Sequence, residues 1–276
     1  MEKIYTNSLG QRHRDDGLPA YECNGGNGYK EWWVNGKLHR DGGLPAIEDT
    51  NGDKEWYING HQHREGGRPA VERANGDKEW YKYGQQHRAS GLPAIEFIEG
   101  RKEWWVNGEL HRDGDLPAIE DANGDKEWYK YGQQHRDGGL PAIENADGNR
   151  RWYVNGELHR EDDLPALDRG NGDKEWRING QLHREGDFPA IMLANGDKWW
   201  YKNGLRHRDN DLPAFECNNG DRWWYKNGLQ HRDDGLPAIE NADGNRRWYV
   251  NGVLHRDYGL PAVEWFMNTK PWRVVG

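Results

Sequence analysis

Apolar residues fall in short stretches separated by polar turn residues, and the pattern recurs along the whole chain. In Leu44–Gly67, LPAIEDTNGDKEWYINGHQHREGG, the stretch Pro45-Ala46-Ile47-Glu48 runs into a turn at Asn51-Gly52. The return stretch, Lys54-Glu55-Trp56-Tyr57-Ile58, is aromatic and β-branched, which predicts a strand. Asn-Gly between strand-like segments predicts a hairpin, because both residues accept positive φ. With Asn51 and Gly52 as the two turn residues, Ile47 faces Trp56 and Ala46 faces Tyr57. The same register sets Glu48 against Glu55, a repulsion that a bulge or a longer turn would relieve. The second connection, from Asn59-Gly60 through His63-Arg64 to Gly67, reads as too long for a minimal hairpin turn. The next strand opens at Pro69, where a missing N–H is tolerated.

The period is strict. Eleven tryptophans, from Trp32 through Trp56, Trp80, Trp128, Trp152, Trp200 and Trp248 to Trp272, stand 24 residues apart, and a His-Arg pair keeps the same interval from His39-Arg40 to His255-Arg256. Such a period predicts stacked repeats, each touching mainly its neighbours. Two strands per repeat, each ~4.8 Å wide, predict ~10 Å of rise and a twisted ribbon or rod on the order of 100 Å long. The expected fold is all-β: an elongated array of antiparallel β-hairpins forming a twisted single-layer sheet or solenoid. We expect one repeat domain over 1–276, with a degenerate cap at 1–30, regular repeats at 31–262 and a half-repeat cap at 263–276. Asn268 and Pro271 read as cap residues, the proline blunting an open sheet edge. Gly139–Gly156 and Gly235–Gly252 are identical over 18 residues, and Ala74–Arg88 matches Ala122–Arg136 over 15, which marks duplication of repeat blocks. A tape-like spacer tolerates such changes of length and an enzyme pocket does not.

Composition changes this picture little. Only 34% of residues are hydrophobic and 31% are charged, but 16 Trp and 13 Tyr supply a thin aromatic core. The net charge of -9 comes with no basic block, so nucleic acid is not an expected partner, and anionic membrane lipid is a weak candidate. Cys23 and Cys217 are too far apart for a local disulfide framework and suit a reducing compartment. With no apolar signal core and no long apolar run, the expectation is a soluble intracellular protein.

The unit W-Y-x-N-G-x-x-H-R-x-x-G-L-P-A-x-x-x-x-x-G resembles a MORN-type repeat, with Tyr57, Gly60, His63, Gly67 and Gly76 at matching places. It departs in being one residue longer and in carrying His-Arg and Leu-Pro-Ala where that family has His-Gly and a second glycine. It is most similar to the divergent MORN-like repeats of large DNA viruses and some bacteria. The resemblance implies an extended run of β-hairpins, a scaffolding or protein-attachment role, and a place in host cytoplasm or virion. Lipid binding is proposed for some members.

The His-Arg pairs, such as His63-Arg64 and His135-Arg136, read as structural. Histidines ~10 Å apart along a sheet cannot share a metal ion. The rings are expected to bond loop backbone and the guanidinium groups to pair with Glu48, Glu72, Glu96, Glu120 or Glu144, or with acids of the same loop. Protonating the His array is expected to disturb every repeat together near pH ~6. No catalytic motif, cofactor motif or metal motif is present, so an enzyme is not expected.

Candidate binding residues are those private to single repeats. Trp199 and Trp223 replace the usual Glu, giving Trp199-Trp200-Tyr201 and Trp223-Trp224-Tyr225, with Arg247 next in line. Strand alternation sets Trp199 and Trp223 on the face opposite Trp200 and Trp224, about one repeat apart. This reads either as a contact patch or as packing under a loop. Tyr83 and Tyr131 replace the Asn of the loop turn and are expected to project outward. The leading expectation is a non-enzymatic scaffold for another protein. The rival is a glycan- or small-ligand-binding aromatic module.

Overall fold

The computed structural model describes residues 2–23 and 28–266. Among these there is no helix; the regular elements are short β-strands and their pairings are antiparallel. Contacts group the chain into two units, residues 1–138 with 142–146, and residues 139–141 with 147–276. The sequence-read caps at Asn268, Pro271 and Trp272 lie outside the described residues.

Each regular repeat contributes four short strands, not two. Ile47–Glu48 pairs with Lys54–Glu55, and that hairpin joins its successor through Val71–Glu72 to extend the main sheet of the first unit. Tyr57–Ile58 then pairs with His61–Gln62 in a second, smaller hairpin. The second connection is therefore a minimal hairpin after all. Its turn residues Asn59 and Gly60 are both left-handed, at φ 51° and 85°, as a two-residue type I′ turn requires.

The first Asn-Gly behaves differently, and the expected register is corrected. Asp49 N–H donates to Asp53 O at 2.9 Å and Gly52 N–H to Asp49 O at 3.0 Å, so the loop is Thr50-Asn51-Gly52. Gly52, at φ 99°, is the left-handed bulge residue closing a type I turn. Asn51 instead accepts the Asp53 N–H on its side chain. The longer loop slides the strands so that Ile47 faces Glu55 and Glu48 faces Lys54. It also removes the Glu48–Glu55 clash. Across the first unit, Glu48, Lys54, Glu72, Lys78, Glu96 and Lys102 follow one another as direct cross-strand partners, an alternation of charge worth ~0.2–1 kcal/mol per pair.

Trp56 lies outside the strands, at the corner between the two hairpins. Its N–H donates to Ala70 O at 2.8 Å and its C=O accepts the His63 N–H at 3.0 Å. The repeated Trp and Ala positions are buried throughout both units; Trp80 is 5% exposed and Ala94 0%. The Ile, Val and Leu positions of the sheet, such as Val71, Ile119 and Leu167, complete a thin core.

Candidate functional site

The repeated residues bond mainly to one another and to the next repeat. The Trp56 indole N–H donates to Gly43 O of the preceding loop at 2.8 Å, and the same bond runs from Trp80 to Gly67, Trp128 to Asp115, Trp152 to Gly139, Trp200 to Asp187 and Trp248 to Gly235. The Arg64 guanidinium lies 3.6 Å above the Trp56 ring, a cation–π stack, and its Nη1 donates to Pro69 O and to Glu72 at 2.7 Å. Arg40–Glu48, Arg88–Glu96, Arg112–Glu120 and Arg136–Glu144 repeat that pairing.

Histidines of most repeats tie two repeats through Nδ1, whereas His111 Nδ1 is buried without a hydrogen-bond partner. His39 Nδ1 accepts the backbone N–H of Asn59 at 3.1 Å, which places the ring proton on Nε2, 3.0 Å from Asp41. His63 makes the same reach to Tyr83 N–H and Glu65, and His135 Nε2 lies 2.8 Å from Asp137. His87 differs, because Ala89 stands where sister loops carry Asp or Glu. Burial pushes the His87 imidazole below its ordinary value, and Lys82 pushes it the same way. The folded state thus favours neutral His87. Its contribution is complete above the ordinary value of ~6.5 and is lost as pH falls through the lowered folded value. An NMR titration is expected to show His87 titrating below its value in the urea-denatured chain; titration at or above that value would refute the assignment.

A further element was not read from the sequence. Asp115, Asp163, Asp187 and Asp211 each grip the Nε edge of an arginine 21 residues later, as in Asp163–Arg184 at 2.8 Å. The Arg184 and Arg208 guanidinium groups hold the Asp163 and Asp187 carboxyls below the usual range. Other repeats have Gly there, and aligning the repeats to find alternating Gly and Asp would have exposed the signal.

The private aromatic residues form one cluster. Trp199 faces Phe215 and Phe215 faces Trp223 as direct cross-strand partners in the main sheet of the second unit. Their ring centroids are 4.0 Å and 4.6 Å apart, so Phe215, missed in the sequence, is the centre of the group. Trp199 and Trp223 are half-buried, and they pack against the buried Trp200, Ala214 and Tyr225. The expectation of indoles standing on a separate face is corrected: Trp200 and Trp224 occupy corners, so strand alternation does not apply to them. In other repeats the replaced Glu takes a phenol, as Glu55 does Tyr57 at 2.9 Å; burial first, then Glu55, raises the Tyr57 phenol well above its ordinary value. With that carboxylate gone, Tyr201 accepts from Arg206 Nε at 3.2 Å and Tyr225 from Gln230. Arg206 also lies 4.4 Å over Trp199. Arg247 is separated from Trp223 by Ile239 in the row and lies 5.5 Å over Trp265.

Tyr83 and Tyr131 are 57% and 61% exposed, at φ 50° and 49°. Their rings stack on His63 and His111 at 4.3 Å and 4.4 Å, so they cover the preceding loop instead of standing free.

Among the described residues, no group of three or more His, Cys, Asp or Glu side chains is placed to hold a metal ion, and no helix is long and apolar enough to cross a membrane. No protein-family profile matches the chain, and no curated protein matches it in sequence.

Proposed function

We propose that this chain is a non-enzymatic, MORN-like repeat scaffold that attaches another protein. The observation that carries the reading is a line of apolar side chains left outside. Leu44, Leu92 and Leu116 recur on the repeat interval in the loops of the first unit and are 48–51% exposed, and Leu140 keeps the interval in the second unit at 45%. Leu164, Phe188, Leu212, Leu236 and Leu260 continue the interval in the second unit. The Trp, His and Arg of each repeat have partners inside the array, so they hold repeats together and leave the loop edge for contact. Regularly placed exposed apolar side chains are a feature of interaction surfaces. Free Cys23 and Cys217 support a reducing, intracellular setting. The glycan reading has less support, because Trp199 and Trp223 have ring contacts with Phe215.

The test is cross-linking of the native complex through carboxylates beside this edge, combined with Leu92→Ser/Leu116→Ser. One stoichiometric protein linked near Asp113 or Asp137, and lost in the double variant at unchanged far-UV circular dichroism, is the expected result. Glycan-array binding that vanishes with Trp199→Ala and Trp223→Ala, alongside no protein partner, would replace this reading by its rival.

A further inference from the structure

The junction between the His39–Leu44 and His63–Arg68 loops differs from four of its sisters in one chemical respect. In four repeats the Nε edge of the arginine is closed by a carboxylate from the preceding loop: Asp115 on Arg136, Asp163 on Arg184, Asp187 on Arg208 and Asp211 on Arg232. The contacts are two-pronged; Arg208 reaches Asp187 at 2.6 Å from Nε and 2.8 Å from Nη2. At Arg64 the corresponding loop residue is Gly43, which brings no side chain. Glu72 takes only Nη1, and Arg64 Nε is buried without a hydrogen-bond partner, a state it shares with Arg112 Nε opposite Gly91. A buried N–H in that state is a cost that an incoming oxygen relieves.

Like several of its sisters this junction holds a cavity, and it has one lining residue that they lack. A cavity of about 180 Å³ lies there, lined by both loops and by Trp56, Tyr57 and Ile58. It is also the one repeat in which Arg68 stands where the others carry Leu or Phe. Three guanidinium groups, on Arg40, Arg64 and Arg68, line it against two carboxylates, on Asp41 and Glu65. The described cavities at residues 111–137 and 183–210 carry equal numbers of cationic and anionic side chains, and the one at 13–44 has an excess of carboxylates. In a chain of net charge -9, this junction is locally cationic.

We infer that the Gly43–Arg64–Arg68 junction binds a carboxylate of a partner protein, which takes the place that aspartate fills in the sister repeats. The guanidinium fork matches a carboxylate in two parallel N–H···O bonds, and Arg68 adds a second cation at the rim. The cavity admits a side chain or a chain terminus. The inference rests on the attachment reading and names the chemistry of one contact within it.

The chain supplies its own control. Gly43 is left-handed at φ 69°, and Asp115, Asp163 and Asp211 hold that position at φ 55°, 53° and 55°, so Gly43→Asp is compatible with the backbone. The experiment follows the Arg64 Nε–H resonance of the ¹⁵N-labelled full chain during titration with acetyl-Gly-Asp-Gly-amide, acetyl-Gly-Gly-Gly with a free C-terminus, and acetyl-Gly-Asn-Gly-amide. A saturable shift with either carboxylate peptide, and none with the asparagine peptide, is expected; the responding arm identifies side chain or terminus as the source. Gly43→Asp is expected to abolish the shift, and Arg68→Leu to weaken binding about tenfold. No shift, equal shifts at Arg88 or Arg112, or a response unchanged by Gly43→Asp would overturn the site. Partner capture is scored separately. A Gly43→Asp chain that still captures the native partner overturns the carboxylate contact and leaves attachment standing. A peptide response with no protein partner overturns attachment and leaves the site.

Discussion

Trp80→Ala is expected to lower the stability of the first unit by about 3–5 kcal/mol, and Trp80→Phe by about 1–3 kcal/mol. The ring is 5% exposed, its N–H donates to Gly67 O at 2.9 Å, and Arg88 lies 3.6 Å over its face. Alanine removes all three contacts and opens a cavity beside Ala94. Phenylalanine keeps most of the bulk but orphans the Gly67 carbonyl. Arg88 would remain tied to Glu96 at 2.7 Å, holding a buried guanidinium over empty space. Each repeat leans on its neighbours, so the loss is expected to be local in hydrogen exchange. Amides of Tyr57–Ile58 and Tyr81–Lys82 should lose protection, while those near Tyr21–Cys23 keep it. Urea unfolding gives the magnitude. A cost of under ~1 kcal/mol for Trp80→Ala would mean that the indoles do not hold the repeats together.

Architecture was legible in the sequence because the period is arithmetic: a tryptophan every 24 residues leaves little choice but a repeat. The partners of Arg64 and Arg88 were legible as one of two choices, since charge sign admits Glu72 and Glu96 as well as acids of the arginine's own loop, and the structure selects the former. What resisted was the choice between two Asn-Gly pairs. Asn51-Gly52 and Asn59-Gly60 are the same dipeptide, yet only the second forms the tight turn. The difference lies in context. Asp49 and Asp53 close a longer loop around the first pair, and Asn51 is drawn into a side-chain bond to Asp53 N–H. The repulsion between Glu48 and Glu55 was the available warning that the two-residue register was wrong. The error then carried over to the tryptophans. Alternation along a strand was applied to Trp200 and Trp224, which sit where the strand ends. Trp199 and Trp223 stood out as departures from the repeat, but their meeting through Phe215 follows only from the cross-strand register. The aspartates on Arg184 and Arg208 were hidden because a contact across 21 residues has no local signature.

Acid is expected to unfold this protein most steeply below the ordinary carboxylate value of ~3.9. The reason is a carboxylate staple repeated along the hairpin loops. Asp53 Oδ1 accepts the N–H of Ala74 at 2.7 Å, Asp173 that of Ala194 at 2.8 Å and Asp197 that of Asn218 at 2.8 Å, each reaching into the next repeat. That backbone bond is the main cause holding all three carboxyls below their ordinary value, with Arg73 and Arg169 assisting at Asp53 and Asp173. A folded-state value below the unfolded one means that the contribution is present above the ordinary ~3.9 and is lost as pH falls through the lowered value. The same staple exists without charge at Asn149, which accepts Gly170 N–H at 3.0 Å, and at Asn245, which accepts Phe266 N–H at 2.8 Å. Asparagine therefore fits the geometry and does not titrate. The triple variant Asp53→Asn/Asp173→Asn/Asp197→Asn is expected to be less stable at pH 7 and to lose less stability between pH 7 and pH 3 than the parent, since three protonation-linked losses are gone. Urea unfolding followed by circular dichroism across pH 7 to 3 reads both effects. If the triple variant lost as much stability on acidification as the parent, the sensitivity would have to reside elsewhere, with the Asp163–Arg184 and Asp187–Arg208 forks the next groups to neutralise.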